Sequence, residues 1–212
     1  MSPTLIIKRL GRVAYEPTWR AMQAANKARA ADTADELWLL EHPPVFTLGL
    51  AGKACHLLAP GDIDVVKIDR GGQVTYHGPG QLVVYLLLDL RRLNFGVKEL
   101  VNRIEQSVID LLGEYAVESQ RLAGMPGVYV GHAKIAAIGL RVANHATFHG
   151  LSLNIDMDLE PFSRINPCGY PGLRVTQLTD CAAHVGWEDK MSVIADRLTA
   201  TLSHHIYGTP HG

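Results

Sequence analysis

Apolar positions change their spacing several times along this chain, and each change marks an element. Leu82-Val83-Val84-Tyr85-Leu86-Leu87-Leu88 is an unbroken apolar run. It predicts a strand from Leu82 to Leu90 that is buried on both faces. Val97, Leu100, Val101, Ile104, Val108, Leu111 and Leu112 recur at three- and four-residue steps. They predict a helix from about Val97 to Tyr115 with one face against a sheet. Met191, Ile194, Leu198, Leu202 and Ile206 mark a C-terminal helix ending near Gly208, followed by a frayed tail from Thr209 to Gly212. Gly127 to Val130, a turn at Gly131-His132, and Lys134 to Val142 read as a β-hairpin, with a further strand from Thr147 to Ile155. Upstream, Thr4 to Arg9, Leu37 to Leu40 and Asp64 to Ile68 read as strands, and Val45 to Gly49 as extended chain. Pro17 at the first helical position opens a helix through about Ala31.

Composition narrows the class. The 212 residues are 47% apolar and 19% charged with a net charge of −1, which fits one domain over 1–212. No stretch reaches the roughly 18 uncharged apolar residues of a membrane span, and the near-neutral charge gives no reason to expect nucleic acid or a membrane as partner. No signal peptide is visible, so cytoplasm is the default. The three cysteines, Cys55, Cys168 and Cys181, are odd in number and follow no metal-ligand spacing. Free thiols are expected, with no metal.

Candidate chemistry concentrates in two places. The first is Asp69-Arg70-Gly71-Gly72-Gln73-Val74-Thr75-Tyr76-His77-Gly78-Pro79-Gly80-Gln81, in which the backbone must turn, extend, turn again and enter the buried strand. A pocket rim and a glycine-rich β-hairpin both fit that pattern. The second is Pro167-Cys168-Gly169-Tyr170-Pro171-Gly172, where prolines and glycines fix a loop that can present a thiol. Cys55 and Cys181, the latter in a short helix, read as inert. A nucleophilic Cys168 needs a cation or base, because a thiol of pKa about 8.5 is mostly protonated at neutral pH. Lys134, His77 and His149 compete for that role, and a lysine at a hairpin corner reaching into water remains an ordinary alternative. His145 and His149 suit a metal only on a helix, and His204 and His205 read as partners of a helix C-terminus. The Gly49 to Ala54 segment fails as a phosphate loop, since Thr47 and Ala54 replace its required residues.

Four motifs taken together resemble a known family. Arg70 to Gln81, Gly127 to Val130 with Lys134 to Gly139, His149 to Asn154, and Pro167-Cys168-Gly169 are similar to the octanoyltransferases of lipoate biosynthesis. The resemblance implies the catalytic-domain fold of biotin and lipoate protein ligases: α/β of the α+β type, with a mixed or antiparallel sheet flanked by helices. It implies a Cys168 nucleophile that becomes an acyl-thioester, with Lys134 lowering its pKa. It also implies acyl binding by Arg70, Gly71, Gly72, Gln73, Val74, Thr75, Tyr76 and His77, by Ala137, Ile138 and Gly139, and by Gly150, Leu151 and Ser152. The implied donor is octanoyl-acyl carrier protein, and the implied acceptors are lysines of lipoyl domains and of the glycine-cleavage H protein. No ATP or metal is expected, and the protein is expected to be a monomer. Lys8, Arg9 and Arg12, or Arg91 and Arg92, are candidate cations for docking an acidic carrier. An ATP-dependent lipoate ligase would not need Cys168, a binding module would not need Cys168 with Lys134, and a cysteine hydrolase would use His77 or His149 and release free acid.

Overall fold

A computed structural model describes residues 5–182 and 190–208. The strands are β1 (Leu5–Arg12), β2 (Asp35–Glu41), β3 (Val45–Leu48), β4 (Val65–Lys67), β5 (Val74–His77), β6 (Gln81–Leu87), β7 (Gln120–Leu122), β8 (Met125–Val130), β9 (Ala133–Ala143) and β10 (Ala146–Asn154). The helices are α1 (Tyr15–Ala28), α2 (Leu90–Leu93), α3 (Val97–Glu114), α4 (Leu178–Cys181) and α5 (Lys190–Tyr207). Seven strands form one sheet in the order β1-β2-β6-β10-β9-β8-β7, and β4-β3-β5 form a second. The β1–β2 and β3–β4 pairs are parallel and the other pairings antiparallel, so both sheets are mixed.

Strand alternation divides the core. Leu37 and Leu39 of β2, Leu82, Val84 and Leu86 of β6, and Leu151 and Leu153 of β10 meet Leu100, Ile104, Leu111, Leu198 and Leu202 of α3 and α5. Trp38, Leu40, Val83, Tyr85 and Leu87 point the other way, against Met22 of α1 and Phe148. β6 lies in the middle of this arrangement, which is why its sequence runs apolar without alternation. Each fully buried leucine or isoleucine in these layers contributes roughly 1.5–3 kcal/mol relative to exposure.

Several boundaries differ from the sequence expectation for local reasons. α1 begins at Tyr15, which puts Pro17 third rather than first and ends the helix at Ala28. Proline costs nothing there either, because the first four helical N–H groups have no intrahelical partner. The strand expected to reach Leu90 stops at Leu87: the Asp89 carboxylate accepts the N–H groups of Arg91 and Arg92 and caps the short α2. β5 and β6 do not pair as a hairpin; the chain crosses between sheets at Gly78 to Gly80. The expected C-terminal stop is present, with Gly208 at φ +78° donating its N–H to the His204 carbonyl. His205 is held by Asp110, 2.6 Å away. Thr4 and the tail from Thr209 to Gly212 lie outside the described residues.

The crossing at Gly80 tolerates no side chain. Its φ is +83°, and a Cβ would stand 1.9 Å from the Asp156 carbonyl oxygen. Gly80→Ala is expected to lower the unfolding free energy by more than about 2 kcal/mol, read as an earlier urea midpoint with unchanged slope.

Candidate active site

A cavity of about 360 Å³ opens between the large sheet and the glycine-rich stretch. Its floor is β10 and β9, where Gly150 pairs with Gly139 and Ser152 with Ala137. Its roof is the Arg70 to Val74 segment, which docks across β9 through the Gly71 N–H on the Leu140 carbonyl, 3.0 Å. Small residues on β9 and β10 leave the gap that a roof so close would otherwise close. Cys168 and Lys134 line the same space.

Cys168 sits in a single turn, Pro167–Gly169, at φ +56°. A non-glycine residue in that left-handed region is strained, and such strain gathers at sites whose surroundings hold it in place. The turn is secured by the Gly169 N–H on the Asn166 carbonyl and by the Asn166 N–H on the His56 carbonyl. The sulfur is 3.0 Å from Lys134 Nζ. Lys134 is buried, and its ammonium also donates to the Pro126 carbonyl, 3.0 Å away, and lies 5.2 Å over the Tyr129 ring. Burial acts to lower the Lys134 pKa, but attraction to Cys168 and the interaction with Tyr129 outweigh it and leave the pKa above the ordinary lysine value. At neutral pH this lysine is a cation beside a thiol.

Arg70 adds a second buried cation. Its guanidinium donates to the Gly71 carbonyl and to the carbonyl and hydroxyl of Thr47, each 2.9 Å away, and burial lowers its pKa from the usual arginine value. The neighbouring Asp69 accepts from Trp19, Gln23 and His149. Burial alone would raise the Asp69 pKa; these bonds hold it below its usual range.

The competing histidines are engaged elsewhere. His77 Nδ1 is 2.7 Å from the Gln81 side-chain oxygen, and Gln81 is oriented by donating to the Tyr76 carbonyl and Asn154. His149 has φ +62°, a left-handed twist that brings its Nε2–H to Asp69 on the side of the cavity. That twist needs glycine next: a Cβ on Gly150 would stand 2.0 Å from the Val84 carbonyl oxygen. Cys168 is therefore paired with Lys134 and with neither histidine.

Of the acyl-binding residues expected from sequence, all line the cavity except Tyr76. Its ring packs between Phe46 and Phe162, in the apolar cluster of the second sheet. The expected docking cations are also occupied: Lys8 pairs with Glu36, Arg9 with Asp196, Arg12 with Glu41, Arg91 with Asp89 and Arg92 with Asp35. Sequence reading missed Tyr15, Val83, Tyr85, Met125 and Pro126, which reach the cavity from distant segments. It also missed Glu105, which accepts the Gly127 N–H at 2.8 Å and an Arg121 N–H at 3.0 Å, fixing the start of β8 that offers the Pro126 carbonyl. A carboxylate on the buried face of α3 was the available signal.

Residues 14–199 match the family described as lipoyl protein ligase A/B catalytic domain. An octanoyltransferase of Thiobacillus denitrificans is 63% identical over 200 residues, covering 94% of this chain and 92% of that protein. One of Chromobacterium violaceum is 59% identical, covering 95% of each. The chain belongs to the octanoyltransferase family. Among solved structures, a lipoate-protein ligase A bound with ATP superposes with a TM-score of 0.73 at 15% identity, over 97% of this chain and 85% of that one. The biotin protein ligase of Aquifex aeolicus gives 0.55 at 12%, over 97% and 70%. At these identities the likeness is one of fold, and it is the fold expected.

In this octanoyltransferase-family chain the wall behind the cavity is built from neutral rings. The Val13 carbonyl can only accept, so His42 Nδ1 carries a proton at 2.7 Å and Nε2 accepts from the Tyr85 hydroxyl at 2.6 Å. Burial depresses His42, His77 and His149 to about 4, 3 and 4 from an ordinary 6.5. The unfolded chain therefore binds more protons below pH 6.5. The stability these neutral histidines contribute is complete above about pH 6.5 and is lost as pH falls toward 4, by up to about 1.4 kcal/mol per pH unit for each. Urea unfolding at stepped pH should show that decline, and it should be shallower in His42→Gln.

Proposed function

We propose that this octanoyltransferase works by two transfers through Cys168. The reading rests on the 3.0 Å contact between Lys134 Nζ and Cys168 Sγ at the side of a half-enclosed, largely apolar cavity. The ammonium favours the thiolate by charge pairing. The thiolate attacks the thioester carbonyl of octanoyl-acyl carrier protein, the carrier's sulfur leaves as a thiolate, and Lys134 supplies the proton that neutralises it. One thioester replaces another, so this step is near balance.

The acyl-enzyme then meets a lysine of a lipoyl domain or of the glycine-cleavage H protein. Lys134, neutral once its proton has gone to the first leaving group, accepts a proton from the incoming ammonium, whose ordinary pKa is near 10.4. The amine attacks, the tetrahedral adduct expels Cys168 as the thiolate, and the nitrogen's remaining excess proton passes to solvent as the stable amide forms. Amide formation from a thioester is downhill, so the cycle needs neither ATP nor a metal. No helix among the described residues is long and apolar enough to cross a membrane.

Intact-protein mass after mixing with octanoyl-acyl carrier protein, without ATP, tests the first step. An added octanoyl mass in the wild type, absent in Cys168→Ser and discharged by a lipoyl domain, is expected. Modification of the lipoyl domain only when ATP and free octanoate are present would instead assign a ligase. Lys134→Ala should slow acylation at pH 7 by about tenfold or more, because the thiolate loses its counter-charge. Much of that loss should return by pH 9, and a loss independent of pH would remove the charge-pairing role.

A further inference from the structure

Two rows of side chains cross the cavity floor from strand to strand. In one, Ala137 of β9 pairs with Ser152 of β10, which pairs with Val83 of β6. In the other, Gly139 pairs with Gly150, which pairs with Tyr85. Both rows are small on β9 and β10 and become large at β6. Adjacent strands lie about 4.8 Å apart, so the Ala137–Ser152 part of the first row spans about 10 Å, while Gly139 of the second lies directly under Arg70. The seven carbon–carbon bonds of an octanoyl group, ~1.5 Å each and staggered, span about 9 Å.

The burial of the lining gives this channel a direction. Val97 and Tyr170 at one end are 43% and 42% exposed, whereas Val83 and Tyr85 are 1% and 4% exposed. Lys134, near the start of β9, reaches Pro126 and Tyr129 of β8, and Cys168 lies beside it. A chain bound at Cys168 and directed inward crosses β9 and β10 and arrives at β6.

The wall it meets is stiff. Tyr15 is brought in by α1, its ring stacked on His77 with centroids 5.8 Å apart and tilted against His42 at 4.8 Å. Tyr85 donates to His42, and His42 to the Val13 carbonyl. Moving one ring of this series leaves a buried polar atom unpaired, so the wall resists a longer chain more strongly than a single apolar side chain could.

We propose that Val83 and Tyr85, closed over by Tyr15, are the end stop that sets acyl length, the methyl end of the chain meeting the step in side-chain size at β6. This rests on the transfer reading above. Val83 is the member to vary, since it lines the channel without belonging to the hydrogen-bonded series.

Initial rates of Cys168 acylation are to be read by intact mass with acyl-carrier thioesters of six, eight, ten and twelve carbons. Val83→Ala should raise the ten-to-eight-carbon rate ratio about tenfold, and Val83→Phe should raise the six-to-eight ratio by a similar factor. Either variant suffices if the other fails to fold. Unchanged ratios, or shifts in the same direction in both variants, would overturn the end stop. Absence of any adduct in the wild type would refute the transfer reading instead. Calorimetric binding of the free six- to twelve-carbon acids to the same proteins would then read the channel length directly, with the same opposite shifts required.

Discussion

A lysine ammonium held out of water beside a thiol is the constraint from which the rest of the site follows. An isolated buried cation is costly, and it persists only where hydrogen bonds and an anion replace its hydration. Lys134 has the Pro126 carbonyl, the face of Tyr129 and the Cys168 sulfur. Each must be held in place. Glu105 of α3 fixes the backbone at Gly127 beside Pro126, and a strained turn between Pro167 and Gly169 presents the sulfur. Three segments distant in sequence are thus positioned for one contact, at the corner of a sheet whose interior is ordinary aliphatic packing.

The second sheet has a different task. β3, β4 and β5 cover little of the large sheet's core, yet the loop they carry roofs the cavity through Arg70 and Gly71. Arg70 is bound to carbonyl and hydroxyl oxygens of its own roof, and a Cβ on Gly139 beneath it would stand 2.9 Å from its Cδ. Roof and floor approach so closely that only glycine fits between them. The adjoining rings of Tyr15, His42, His77 and Tyr85 then form a polar but uncharged wall, because burial keeps the histidines neutral near pH 7. The combination is an apolar channel with the Lys134 ammonium at its reactive end and neutral hydrogen-bonded rings at its far end.

Much of this was legible beforehand, and particular residues show why. The unbroken run in β6 and the three- and four-residue spacing in α3 and α5 reflect burial directly, so their existence and type followed from pattern. Their ends did not: Asp89 stopped a strand that hydropathy would have continued, and α1 began before its proline. Cap geometry decides such boundaries, and it depends on backbone angles that periodicity does not encode. Tyr76 was misplaced because a motif read as a unit conceals that one of its rings packs into the apolar cluster of the second sheet.

Sequence alone determined the elements, the glycine-rich stretch, the fixed-loop setting of Cys168 and, through motif resemblance, the family and its fold. Each of these is local, carried by the spacing or chemistry of residues close together in the chain. Tertiary structure brought Cys168 to Lys134, the partner the resemblance implied, and alone decided that β5 and β6 belong to different sheets and that Ala137, Ser152 and Val83 form one row. Those are statements about strand register and about which orphaned donor finds which acceptor. Both are settled by burial and hydrogen-bond satisfaction summed over the whole molecule, and no window of the sequence contains that sum.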